Sequence, residues 1–256
     1  MIWQSLTSKA LARLDRSIPV VLPVAAVEQH GPHLPLATDR LIAEHFCREL
    51  DRELPDRVLI LPTVAVGCSQ HHMDFPGTLS VSHDGFMRYV GEVLESVVAH
   101  GFRTLIIFNS HGGNVAAATV LTERAGAAHQ ECRFVVTSWW QIAAPALLEI
   151  TDSGPGGVGH ACEFETSLIE VVAPELMDHT VPPHGGNRPT FDWASGDMLR
   201  PAGALLYRSF AAATENGVFG RPDLATREKG LAISRAVVEA MKHLIGGLCV
   251  PGTRAG

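Results

Sequence analysis

Three runs of this chain combine carboxylates, imidazoles and glycines in a way that can hold cations and move protons. The first is Val27-Glu28-Gln29-His30-Gly31-Pro32-His33-Leu34-Pro35-Leu36-Ala37-Thr38-Asp39. Glu28 and His30 stand two apart, so in an extended segment both side chains point to the same side. Gly31-Pro32 then turns the chain and brings Asp39 back at the start of a helix. Two carboxylates and an imidazole suit a divalent cation: oxygen donors favour Mg²⁺ or Mn²⁺, nitrogen donors Zn²⁺ or Fe²⁺. A carboxylate can also bridge two ions. Either acid alone reads equally well as a helix cap or a surface group; the whole run, following an apolar segment, does not.

The second run is Asn109-Ser110-His111-Gly112-Gly113-Asn114. Paired glycines let backbone approach a ligand closely. N–H groups at the start of a helix can meet an anion or a developing oxyanion, so Gly112 and Gly113 are candidate substrate contacts. The spacing matches neither dinucleotide nor Walker patterns, which ranks a phosphate loop low. The third run is Gly159-His160-Ala161-Cys162-Glu163-Phe164-Glu165-Thr166-Ser167. Glu163 and Glu165 share a face in a strand but diverge by about 200° in a helix. Acidic neighbours raise the pKa of a thiol, which argues against Cys162 as a nucleophile. A fourth polar run, Cys68 to Phe75, holds His71 and His72. These either lie on the surface or line the pocket, where His72 is the candidate contact for an anionic substrate group.

Elements must bring these runs together. Ile18 to Val27, Val58 to Val66, Thr104 to Phe108 and Arg133 to Thr137 are apolar runs that suit strands buried on both faces. Helical periodicity marks Asp39 to Leu54 (with Thr38 or Asp39 as N-cap), His83 to His100, Asn114 to His129, Glu163 to Val172 and Ala225 to Ile245. Pro182 to Gly203 reads as a long loop. Strands alternating with helices predict a single α/β domain over 1–256, with a mostly parallel sheet covered on both faces. Ligands of such sheets bind at the carboxyl ends of strands, which is where the three runs fall.

The 256 residues are 46% hydrophobic and 18% charged, a globular balance. A net charge of −7 without a basic run argues against nucleic acid. Five cysteines without a C-x-x-C pair suggest a reduced, cytoplasmic protein. The start of the chain lacks a signal-peptide pattern, and no apolar run spans a bilayer, so no membrane attachment is expected.

The first run, Phe75-Pro-Gly-Thr78, the second run, His160 to Ser167, and the tail run Thr226-Arg-Glu-Lys-Gly230 resemble, in order, the signature segments of the creatininase family. The resemblance implies a parallel α/β fold, two divalent metal ions (Zn, Mn or Fe) per subunit and a homohexamer. It also implies hydrolysis of C–N bonds in cyclic or linear amides. Glu28 and His111 match ligands of one metal, His30 a ligand of the other, and Asp39 the bridging carboxylate. Glu165 matches the remaining ligand and His160 the catalytic histidine. The creatinine-cleaving members carry tyrosine and glutamate where this chain has Gly112 and Gly113, and a tryptophan near Gly156. Creatinine is therefore disfavoured as substrate. Glu163 is the candidate replacement proton carrier, and Trp140 a second aromatic wall. A formylaminopyrimidine deformylase and a mycofactocin-type peptidase are the alternatives within the family. A non-catalytic metal-binding protein is the alternative outside it.

Overall fold

The computed structural model describes residues 1–181 and 183–249. Pro182, where the expected long loop begins, lies outside the described residues. Four parallel strands form the central sheet in the order β2-β1-β3-β4: β1 (Val20–Val24), β2 (Leu59–Ile60), β3 (Thr104–Asn109) and β4 (Arg133–Ser138). Alternate residues of the inner strands feed two separate apolar layers. Val21, Ile106 and Phe108 pack beneath α2 (Thr38–Glu53), α7 (Glu163–Val172) and α9 (Arg227–Leu248). Val20, Leu22, Leu105 and Ile107 pack against α3 (His83–Ala99) and α4 (Val115–Ala128). Strands buried on both faces carry no polar alternation, which is why β1 and β3 read as continuous apolar runs.

The strands are shorter than the apolar runs that contain them. β2 pairs over two residues only, and Val64 rejoins β1 through an isolated bridge to Val24. Ala25 to Val27 leave the sheet and lead to the site. Helix α2 starts at Thr38, with Ala37 at the cap position, so neither Thr38 nor Asp39 is the N-cap expected. Thr38 instead donates its hydroxyl to the Pro35 carbonyl (2.7 Å), and the Asp39 side chain is free of capping duty.

Short elements escaped the periodicity argument because a turn or two of helix shows no repeat. They are α1 (Ser8–Ala12), α5 (Trp139–Ile142), α6 (Ala144–Ile150) and α8 (Phe210–Ala213). A two-stranded antiparallel ribbon, β5 (Val158–His160) with β6 (Phe219–Gly220), also lies outside the main sheet. Residues 187–214 form an irregular excursion closed at its neck. Arg188 N–H donates to Ala213 (2.8 Å), Glu215 N–H to Gly186 (2.8 Å), and Asn187 bridges Thr214.

The tail run has a structural explanation. The Thr226 side chain caps α9 by accepting from Lys229 N–H (3.2 Å). Gly230 lets α9 seat against α7, since a Cβ there would lie 2.0 Å from the Ser167 carbonyl oxygen. Among the described residues, no helix is long and apolar enough to cross a membrane.

Candidate metal centre

The strand order reverses between β1 and β3, and the site lies at their carboxyl ends, where open α/β sheets bind ligands. Beyond β1, the chain turns at Gly31 (φ +64°), and Asp39 rises from the first turn of α2. His111 lies two residues beyond the end of β3. Glu165 projects from the first turn of α7. Glu28, His30, Asp39, His111 and Glu165 are all buried and meet at this edge.

Two groups form around Asp39. Its Oδ2 lies 3.2 Å from His111 Nδ1, which is also 3.2 Å from Glu28 Oε1. Its Oδ1 lies 3.3 Å from His30 Nε2, and Glu165 Oε2 stands 3.9 Å from the same nitrogen. Glu28, Asp39 and His111 form one set of donor atoms within cation-sharing distance; His30, His160 and Glu165 form a second. Both Glu28 carboxylate oxygens and Asp39 Oδ2 are buried without a hydrogen-bond donor. Orphaned buried carboxylate oxygens are costly unless a cation meets them, so the residues present fit divalent metal.

The electrostatics agree. Burial alone would lower the His30 imidazole, but Asp39, Glu165 and Glu28 outweigh it and raise it from 6.5 to about 9. Burial opposes His111 protonation as well, yet Glu28 and Asp39 lift it well above its ordinary value. Burial favours the neutral form of Asp39, but His30 and His111 hold it well below the carboxylate range. Burial, with Asp39 and Glu28 nearby, pushes Glu165 up to about 8 against the pull of His30. Protons thus stand in this centre where positive metal charge would replace them.

His160 is set by its backbone contacts. Its Nε2 donates to the Gln29 carbonyl at 2.6 Å, so the lone pair sits on Nδ1, which faces Glu28 Oε1 at 3.6 Å. Burial, and then His30, hold this imidazole well below 6.5 and therefore neutral. Ala161, just after it, adopts φ +50°, and its N–H donates to Glu165 Oε2 at 2.5 Å.

Gln29 escaped the sequence reading. Its Oε1 accepts from Gly31 N–H (2.9 Å) and its amide donates to Gly217 (3.1 Å), which fixes the amide's orientation. The same amide then donates to His72 Nδ1 (2.8 Å). His72 is thereby held with its proton on Nε2, 3.3 Å from Glu28 Oε1 but without hydrogen-bond geometry to it. Thr78 of the Phe75-Pro-Gly-Thr78 run accepts from Gln29 N–H (3.1 Å) and donates to the His72 carbonyl (3.3 Å). His72 is buried beside the acid cluster, and His71 lines the cavity above it.

Two expectations are corrected. Glu163 does not face the centre. Because the segment is helical, Glu163 diverges from Glu165 and sits in a polar knot: Oε1 accepts from Lys229 Nζ (2.5 Å) and Asp152 N–H (3.0 Å). Its Oε2 accepts from the hydroxyls of Ser153 (2.5 Å) and Thr151 (2.8 Å). A carboxylate so occupied has no free lone pair aimed at a substrate. Trp140 is not a pocket wall either; it is buried in the core, edge-on to Trp139 (5.5 Å, 88°). The aromatic walls are Phe219 and Phe210, which stacks on His72 (3.9 Å, 24°) and meets His160 at an edge (4.7 Å). Gly112 lines the cavity, and a Cβ there would meet nothing within 4 Å. Gly113 is confined: a Cβ would lie 2.1 Å from the Cys68 carbonyl oxygen. The Cys162 thiol is pushed up to about 12 by burial and then by Glu165, which fits a core role.

A parallel α/β scaffold with carboxylates and histidines converging at its switch point has the donor set of a divalent-metal centre. The profile of the creatininase family, described as creatinine amidohydrolase, matches residues 4–245, and the chain belongs to this family. It is 33% identical over 243 residues to a mycofactocin precursor peptide peptidase of Mycobacterium tuberculosis, covering 92% of this chain and 86% of that protein. It is 28% identical over 215 residues to a creatinine amidohydrolase of Pseudomonas putida, covering 77% and 82%. A solved manganese form of creatininase superposes with a TM-score of 0.78 at 25% identity, covering 98% of this chain and 99% of that one.

Proposed function

We propose that this chain hydrolyses the C–N bond of a small linear amide, peptide-like in preference to creatinine, with two divalent cations at the β1/β3 edge. The observation that carries this reading is Asp39, whose two oxygens face different donor sets, Oδ2 towards His111 and Oδ1 towards His30. Glu28 and His111 would hold one cation, His30 and Glu165 the other, and Asp39 both. The mixed oxygen and nitrogen donors suit Zn, Mn or Fe. When bound, such a pair supplies Lewis acidity and lowers the pKa of water.

The chain's own groups do the rest. His160, neutral and with its lone pair on Nδ1, accepts the proton of the attacking water and returns it to the leaving nitrogen as the C–N bond breaks. His72, buried beside Glu28 with Phe210 stacked over it, keeps bulk water from that side. Gly112 leaves open the space next to the reacting groups. The peptidase name of the 33% identical relative and the two glycines both favour a linear amide. The family's homohexamer and a cytoplasmic location remain part of this reading. The first agrees with the exposed Phe191, Trp193, Leu205 and Tyr207, the second with free cysteines.

The test is metal analysis with an amide screen of formamides, lactams and short peptides, creatinine as comparator. The manganese- or zinc-loaded protein should cleave at least one linear amide faster than creatinine and lose activity on chelation. Asp39→Asn should lose both metal and turnover. His160→Gln should keep its metal while kcat falls by about 10²–10⁴-fold. A metal-loaded protein inert to every amide would overturn the reading.

A further inference from the structure

The cavity over the centre is about 310 Å³, the scale of one or two amino-acid residues. Its floor is acidic (Glu28, Asp39 and Glu165) and its upper wall comes largely from residues 187–214. That wall is apolar at Met198, Leu206 and Phe210 and carries two ionisable side chains, Asp197 and Arg208. Asp197 is already used: it accepts from Gly156 N–H (2.8 Å), Leu199 N–H (2.9 Å) and the Arg200 guanidinium (3.1 Å). Arg208 is not. It is half-buried, makes no ion pair among the described residues, and donates one guanidinium nitrogen to the Ala212 carbonyl. A guanidinium has five N–H donors, and its fork matches a carboxylate bidentately.

The guanidinium therefore lines the same cavity as the proposed metal ligands with most of its donors unused. We infer that Arg208 is a specificity-determining residue that captures a carboxylate of the substrate. The substrate class is then a short acyl-amino acid or peptide with an apolar side chain and a free carboxylate a residue's length from the scissile amide. Pairing and shape act together: a carboxylate held at Arg208 leaves the amide carbon at the centre. The apolar walls take the side chain between. This inference rests on the hydrolase reading above, because that reading defines the floor.

The experiment compares N-acetyl-L-phenylalanine and glycyl-L-phenylalanine with their C-terminal carboxamides. In the metal-loaded wild type the free acids should show KM lower by about tenfold or more, the scale of one charge-assisted contact. Arg208→Gln should collapse the acid-to-carboxamide ratio towards one, and Arg208→Lys should restore part of it. Calorimetric titration of the same pairs into metal-loaded His160→Gln protein gives the binding preference without turnover. Equal affinity for acid and carboxamide, no measurable binding of the acid, or a preference that survives Arg208→Gln would each overturn the inference. A carboxylate held by metal instead would bind Arg208→Gln as well as wild type. Failure of the hydrolase reading looks different: no amide is cleaved, whatever its charge.

Discussion

Glu163 and Glu165 stand two residues apart, and the helix assigns them opposite duties. Glu165 enters the centre with its pKa raised, whereas Lys229, Ser153, Asp152 and Thr151 hold Glu163 below its ordinary 4.5 although burial opposes this. Glu163→Gln should leave metal content unchanged and cost about 1–3 kcal/mol of stability through the unmatched Lys229, read from urea unfolding. Glu165→Gln should lower metal content at equal stability of the apo fold. A kcat loss of orders of magnitude in Glu163→Gln, with no change in unfolding midpoint, would restore the proton-carrier role. The choice between the two acids was open in the sequence because it depends on whether the segment is strand or helix. Once it is helix, the divergence of side chains decides. Gln29 was illegible for a different reason. Its partners His72, His160 and Gly217 are 43, 131 and 188 positions away, and only the fold makes them neighbours.

At the level of elements, the long pieces were readable because burial imposes their pattern. Helix α7 spans the residues expected, and α3 differs by one at its end. Strand β2 was overextended, since beyond Ile60 the buried Leu61 and Val64 meet β1 only through isolated backbone contacts. Apolar composition reports burial, not pairing. The turn after β3 gives an internal comparison. Gly112→Ala should be accepted within about 0.5 kcal/mol, because the new methyl meets only open cavity. Gly113→Ala should cost about 1–3 kcal/mol, because backbone must shift to clear Cys68. Paired thermal melts and substrate-competition assays read both. Equal costs would mean that the loop is looser than drawn.

Across the whole molecule, folding concentrates three carboxylates at one edge and leaves both Glu28 oxygens and Asp39 Oδ2 without a donor, and the two apolar layers must hold that arrangement. Cation binding to the native state alone then raises stability by mass action: about 2.7 kcal/mol at a hundredfold excess over Kd. Calorimetric melts of stripped protein should move upward with added Mn²⁺ or Zn²⁺, and this gain should vanish in Asp39→Asn. Protons compete for the same groups. His30, raised to about 9, and Glu165, raised to about 8, are protonated at neutral pH without metal, so metal uptake expels protons. Affinity should therefore climb with pH and level off only once His30, His111 and Glu165 have all lost their protons, as titrations in buffers of different ionisation enthalpy can measure. An affinity independent of pH would place the ions elsewhere.

The pinched base of residues 187–214 has its own consequence. Arg188 and Ala213, held by a backbone hydrogen bond, make the ends of that stretch near neighbours, so its interior can be exchanged with little added closure entropy. All five proposed ligands and His160 lie outside it. Transplanting the equivalent stretch from a relative would then give a chimaera with the host's cation content and pH response but the donor's choice of amide. Descendants of such a chain can acquire new diets by rewriting one insert while the machinery beneath stays fixed.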